Sequence, residues 1–451
     1  MAKHPVGVYK FSAIEGTERG FYYALEAIGS MLFAWMLSIY LKTDMKAQEG
    51  TASLIFAVFG GATYIITWKS GQLMDKYGIK RIMRIACTIE LIGAILTPIN
   101  VPLGFVVVTL GAGAFKPVIS TIIGRFYAPK DKRRDQGYGL FYVAINIGGI
   151  IGPLSVGVSS AAALALISSG ADVAAIKSAW NVCLYTAIVF QLMCFVLMML
   201  FVGRNVDDSD LQPEEQHEEV VVSEAEKAKR RWAMRLLCMV AFFFWAAFKQ
   251  GPSTLTFWAQ NHTNRVILGY DIPAVWFSNL NGIWVIFGTN ILARLFLIHE
   301  PSTPRKMIYG MGLTSASFLI MAVAGYFNGT SPLWVSSCWT VLTFGELFMS
   351  PVGMSMISQL APAGEEGRWM GNWFLSTAGG FIASGIVAKV RDVLSYGTIF
   401  SILSLVTGAT AIFILAKEKE LLEAFPTRIK PTAHDEMVNP NLKDAPIVTI
   451  T

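Results

Sequence analysis

Glu15, Glu18, Arg19, Tyr22 and Glu26 recur at helical spacing in an apolar run that continues to Leu41. At about 100° per residue they share one stripe, while Phe21, Leu25, Ile28 and Leu32 lie on other faces. A charge at the centre of a bilayer costs at least ~2.5–3.5 kcal/mol. Four ionisable side chains on one side of one helix therefore require water, partners or a bound solute. Acids in a first helical turn would be stabilised by the helix dipole, but Glu26 lies nearly three turns further in. The stripe points to a solute pathway, with its Glu15–Arg19 end at the mouth.

Further isolated charges occur in other apolar runs. Lys116 precedes Pro117 in Gly111-Ala-Gly-Ala-Phe-Lys-Pro117. The proline frees backbone carbonyls, and about 14 Å of helix separates Lys116 from the run's end at Arg125, too far for easy snorkelling. Glu346 is alone in an otherwise apolar run and must be protonated, paired or on a water path. Trp245, Lys249, Ser253, Thr256 and Gln260 form another polar stripe, and Tyr142 with Asn146 an i, i+4 pair. As lone charges that each need a partner, Lys116 and Glu346 are expected to pair when the cytoplasmic gate is open and the opposite side is closed. Glu26 and Lys249 are expected to form an ion pair that closes the outer side. Glu90 and Arg294 read as structural.

The elements that position these residues are membrane spans. The 451 residues are 54% hydrophobic and 15% charged, with mean hydropathy +0.51, against about a quarter charged in a soluble domain. Apolar windows predict twelve spans, near 15–41, 51–74, 81–99, 102–126, 137–161, 178–203, 233–260, 273–298, 305–327, 332–360, 369–389 and 395–416. No cleavable leader is expected, since the first span is too long and too charged. Lys and Arg cluster after spans two and four and before span seven, which places both termini in the cytoplasm. The predicted organisation is a six-helix unit over 1–203, a cytoplasmic linker over 204–231, a second six-helix unit over 232–420 and a disordered tail over 421–451. Five cysteines lack metal or pairing spacing and read as small core residues. Asn261-His-Thr and Asn328-Gly-Thr are weak glycosylation sequons in predicted outer loops.

Gly71-x3-Asp75-x2-Gly78-x2-Arg81 between spans two and three resembles the gating-loop signature of the major facilitator superfamily. Gly71 would permit close helix packing there. Glu15-x2-Glu18-Arg19-x-Phe21-Tyr22-Tyr23 resembles the first signature of the proton-dependent oligopeptide transporters (POT/PTR). Gly111-x-Gly113-x2-Lys116-Pro117-x2-Ser120-Thr121-x2-Gly124 resembles their second. Arg133-Arg134-Asp135-x-Gly137, Ile145-Asn146-x-Gly148, Gly345-Glu346-x3-Ser350-Pro351-x-Gly353, Ala361-Pro362 and Asn372-Trp373-Phe374-Leu375-Ser376 agree. The resemblance implies an all-α fold of twelve transmembrane helices in two six-helix bundles. It implies proton coupling at Glu15, Glu18 and Arg19. It also implies a substrate site from Tyr22, Tyr23, Glu26, Tyr64, Lys116, Asn146, Lys249, Asn281, Glu346, Trp373 and Ser376. At Glu26 the family commonly has a basic residue and at Lys249 an acidic one, so this chain exchanges the signs.

The expected function is proton-coupled uptake of di- and tripeptides by alternating access. The expected partners are small peptides, protons and membrane lipid, with no nucleic acid, and the protein is expected to be a monomer in the plasma membrane or an endolysosomal one. A facilitative carrier without proton coupling and a non-transporting sensor or subunit are the alternatives. No nucleophile–base pair or metal constellation suggests an enzyme, and no cofactor or metal is expected.

Overall fold

The computed structural model describes residues 4–127, 134–202, 223–298, 301–361 and 365–424, without the side chains of 75, 134–136, 297, 351–359, 366 and 367. The central part of the linker, the tail beyond 424, the Asp75 side chain and most of the Arg133–Asp135 and Ser350–Gly353 motifs therefore lie outside the described residues.

Twelve membrane-crossing elements form the major facilitator arrangement of two bundles. In the first bundle, α1 (Val6–Leu41) packs on α5 (Arg134–Ser168), α6 (Val173–Val202) and α2 (Met45–Tyr77), while α3 (Ile79–Leu96) packs on α4 (Val101–Arg125) and α6. The second begins with α7 (Glu224–Phe248), which continues through one π-helical turn, Gly251–Leu255, into α8 (Thr256–His262). A hairpin of β1 (Val266–Ile267) and β2 (Tyr270–Asp271) and a 3-10 turn, Ala274–Ser278, lead to α9 (Asn279–Ile298). Next come α10 (Thr303–Tyr326), α11 (Pro332–Leu360), α12 (Glu366–Val390), α13 (Tyr396–Ala416) and the short α14 (Glu418–Ala424). Among the described residues, nine crossings, counting α7–α8 as one, are long and apolar enough to span a membrane. The others are α3, which carries Lys80, Arg81, Arg84 and Glu90, and α9 and α11.

Lipid offers helices no hydrophobic drive to associate, so close backbone packing does that work. A Cβ on Gly148 would lie 2.3 Å from Gly16 O, and one on Gly152 would lie 2.4 Å from Gly20 O. Glycine there lets α5 touch α1 along two turns. Between the bundles, Gly60 and Gly61 of α2 admit Phe381 and Ile382 of α12 in the same way.

Two expectations need correcting. The first helix starts at Val6 and not at residue 15, running through Lys10 and Ser12, which interrupt the apolar run but not the helix. The seventh span is not one uninterrupted helix. Gly251-Pro252 widens it to a π-turn, and Lys249 becomes the C-cap of α7, where the helix dipole favours a cation.

Candidate functional site

The stripe on α1 serves two sites, not one path. Its first part is buried within the first bundle: Glu15 is 3% exposed, Glu18 0% and Arg19 3%. With nine helical residues ahead of Glu15, about 14 Å of α1, the cluster lies inside the protein instead of at a mouth. Arg19 Nε pairs with Glu15 Oε1 at 3.2 Å and donates to Glu18 Oε2, and its guanidinium covers the Tyr22 ring at 5.0 Å. Glu15 Oε2, Glu18 Oε1 and Arg19 Nη2 have no partner among the described residues, so the cluster has room to accept a proton or rearrange.

Further along α1, Glu26 of the stripe and Tyr23 beside it face a cavity of about 120 Å³ between the bundles, whereas Tyr22, under Arg19, does not line it. Its other lining includes Tyr64, Asn146, Trp245, Lys249, Asn281, Trp339 and Glu346. The charges that line this cavity have partners, and so does Lys116, which stands behind Tyr64 and is not part of the lining. Glu26 Oε1 meets Lys249 Nζ at 2.8 Å, so the ion pair expected between α1 and α7 is formed. Asn281 Nδ2 donates to Glu346 Oε2 at 2.6 Å. Lys116 Nζ donates to Tyr64 Oη at 2.6 Å and sits 4.0 Å from that ring's centre. Lys116 and Glu346 do not pair in this state; each is held by a neutral partner in its own bundle.

Local backbone chemistry sets up the lysine. Pro117 has no N–H to give the Gly113 carbonyl four residues back. Thr67 Oγ1 of α2 donates to that carbonyl at 3.0 Å, and Ser70 Oγ donates to Ala114 O at 2.8 Å. These bonds fasten α2 to α4 one turn from Tyr64 and so align its hydroxyl with Lys116.

Other expected site residues fall elsewhere. Trp373 is 4% exposed within the apolar core and reaches neither cavity. Ser376 lines a larger cavity of about 650 Å³ on the side of the chain termini, with Arg231, Arg235, Glu365, Arg368 and Asn372. Arg231 Nη2 bonds Glu365 Oε1 at 2.5 Å and holds that carboxyl below the usual carboxylate range. In the gating motif Gly78 has φ +84°, which favours glycine, and Arg81 is exposed. Gly71 faces open space, so no close helix contact uses it here.

On the distal side, opposite the termini, the bundles are clasped. Arg391 Nη2 meets Glu49 Oε2 at 3.3 Å, and Lys389 Nζ donates to Thr51 Oγ1 at 2.8 Å. Asn261 Nδ2 donates to Glu49 Oε1 at 2.8 Å, so a glycan on this sequon would have to break an inter-bundle bond. Asn328 is exposed in the α10–α11 loop at φ +49°. Sequence reasoning missed Glu49, Arg391 and Gln191. The signal for Gln191 was a lone amide on the face of α6 that carries Ala187, Cys194 and Met198.

A profile of the POT family (PTR2) matches residues 84–206 and 178–401. The chain is similar to the uncharacterized transporter YclF of Bacillus subtilis, 27% identical over 473 residues that cover 91% of this chain and 94% of that protein. It is similar to the peptide transporter YePEPT of Yersinia enterocolitica, 26% identical over 492 residues, covering 93% and 95%. A POT family transporter solved in complex with 5-aminolevulinic acid shares the fold, with TM-score 0.80 at 20% identity over 93% of this chain and 97% of that one. So does a mutant of the peptide transporter POT solved in complex with alafosfalin, with TM-score 0.79 at 22% identity over 94% and 96%. Matched by the profile over well more than half its length, and sharing the fold of these transporters, this chain belongs to the POT family and is a multi-pass membrane transporter, not an enzyme.

Proposed function

We propose that the protein imports di- and tripeptides with protons by alternating access, with both termini and the 204–231 linker in the cytoplasm. The observation that carries this reading is the charge arrangement of the central cavity. Beside the Glu26–Lys249 pair, the anion Glu346 lines it from the second bundle and the cation Lys116 stands behind its Tyr64 wall in the first, and each is held by a neutral hydrogen-bond partner that a peptide's charged ends can replace. A peptide carboxylate would take Lys116 from Tyr64, and its amino group would take Glu346 from Asn281. Tyr23, Asn146 and Trp339 supply the remaining wall. At about 120 Å³ the cavity is smaller than the ~300–1,000 Å³ of typical ligand sites, so binding requires it to widen. The Glu26–Lys249 pair is the element that widening would loosen. Glu15, Glu18 and Arg19 would carry the coupled proton, since protonating either acid frees Arg19 from it.

Names of relatives support peptides as the substrate class: a di-/tripeptide transporter of Lactococcus lactis is 26% identical over 93% of this chain. The test is uptake of a labelled di- and tripeptide panel into liposomes containing the purified protein. Accumulation under an imposed proton gradient, abolished by a protonophore, is the expected result. Uptake with a flat pH profile would instead make it a facilitative carrier, and binding without uptake a sensor.

A further inference from the structure

Glu90 has no part in the pathway proposed above, yet it is 0% exposed on the core face of α3, in line with Met83, Ala86 and Cys87. Three helices enclose it. Gly111 of α4 packs on its backbone, where a Cβ would lie 2.5 Å from Glu90 N. Gln191 of α6, itself 0% exposed, donates from Nε2 to Glu90 Oε2 at 3.2 Å. From α1, the Glu18 carboxyl lies within hydrogen-bonding reach of the Glu90 carboxyl.

The charges do not balance. The groups facing this point are Glu15, Glu18, Arg19 and Tyr23 from α1, Cys87 from α3, Lys116 from α4 acting on Glu15, and Gln191 and Cys194 from α6. Arg19 is committed to Glu15 and Glu18, and among the described residues no cation lies within ion-pair distance of Glu90. Glu18 Oε1 and Glu90 Oε1 are both buried and both lack a donor. Two ionised carboxylates offer each other only acceptors, and two in contact in a nonpolar interior cannot both stay charged. Gln191 gives Glu90 its amide N–H, and that bond leaves Glu90 Oε1 without a donor.

We propose that Glu90 is a proton-binding residue of this transporter and that Glu90 and Glu18 hold one proton between them, with Gln191 positioning the Glu90 carboxyl. One carboxyl then donates O–H to the other, and both orphan oxygens are satisfied. Releasing the proton to water leaves two carboxylates competing with Glu15 for Arg19, whose Nη2 is free to turn toward them. Proton occupancy is thereby tied to how α1 sits against α3 and α6. The role in coupling rests on the proton-driven reading above; the shared proton does not.

The experiment uses the purified full-length protein and Glu90→Gln, with Glu90→Asp as the variant that keeps the acid. Infrared difference spectra across a pH titration should show a protonated carboxyl band near neutral pH in the parent. That band should vanish in Glu90→Gln and persist, shifted, in Glu90→Asp. In liposomes Glu90→Gln should lower gradient-driven accumulation by about tenfold or more, the effect of at least one unit of proton affinity. Peptide-for-peptide exchange should survive, which also shows that the variant folds. An unchanged carboxyl band in Glu90→Gln overturns the shared proton, and unchanged accumulation in that variant overturns its part in coupling. If the parent shows the band but no gradient-driven uptake, the coupling reading fails and the proton site stands.

Discussion

At the residue scale, the exchanged signs of Glu26 and Lys249 make the sharpest test. Their 2.8 Å pair joins α1 to the C-cap of α7 in a mostly buried setting, where removing one partner typically costs ~3–5 kcal/mol. Glu26→Lys and Lys249→Glu should each impair transport, because each sets like charges face to face. Combined, they restore an attractive pair and should recover part of the activity. Uptake by the double variant no better than by the worse single one would break the pairing as a functional unit. Lys116→Ala makes a second test: it removes the cation offered to a carboxylate but only half-buried volume. Gradient-driven uptake should be lost while the amount of protein in the membrane is unchanged, and full uptake would move the carboxylate site to Lys249.

At the element scale, the bond from Thr67 to Gly113 O explains how a proline can sit inside α4 at low cost. Thr67→Val should leave that carbonyl unsatisfied and lower stability by about 1–3 kcal/mol, while letting Tyr64 drift from Lys116. Pro117→Ala restores the N–H of the helix ladder, so in the Thr67→Val background it should recover most of the lost melting temperature. A double variant no more stable than Thr67→Val alone would show that the threonine acts by packing only. Elements of this kind were legible in part. Both limits matched within about three residues for six of the twelve spans, because membrane thickness dictates the length of each apolar run. The extension of α1 from Val6 was not legible, since Lys10 and Ser12 interrupt the apolar run by which a span is recognised. The π-turn was written in Gly251-Pro252 but hidden by a polar stripe that continued in register. Contacts were least legible: nothing local to Glu90 announces Gln191, 101 positions away.

At the scale of the whole molecule, two ion pairs join the bundles among the described residues, Glu26–Lys249 and Glu49–Arg391, and both lie in the distal half. Any conformation open on that side must part them, so they bias the protein toward the distal-closed state seen here. The bias is smaller than the cost of stranding a buried charge, because opening rehydrates all four groups. Arg391 also stacks over Phe257 and Tyr396 of its own bundle, at 4.8 and 5.7 Å, which fixes it in place to meet Glu49. Arg391→Ala should therefore favour the distal-open form by about 1–2 kcal/mol, a population change of roughly 5–30-fold. A cysteine at Ala27, on the cavity wall, reports this when placed in a background lacking Cys238, since the other four native thiols are buried. An impermeant maleimide added on the distal side should label it correspondingly faster in the Arg391→Ala protein. Glu49→Gln should give a smaller acceleration, because the amide oxygen can still accept from Asn261. Labelling no faster than in the parent would mean that closure rests on the packing of α2 against α12 and of Trp276 against α5, and that the distal ion pairs follow the gate without holding it.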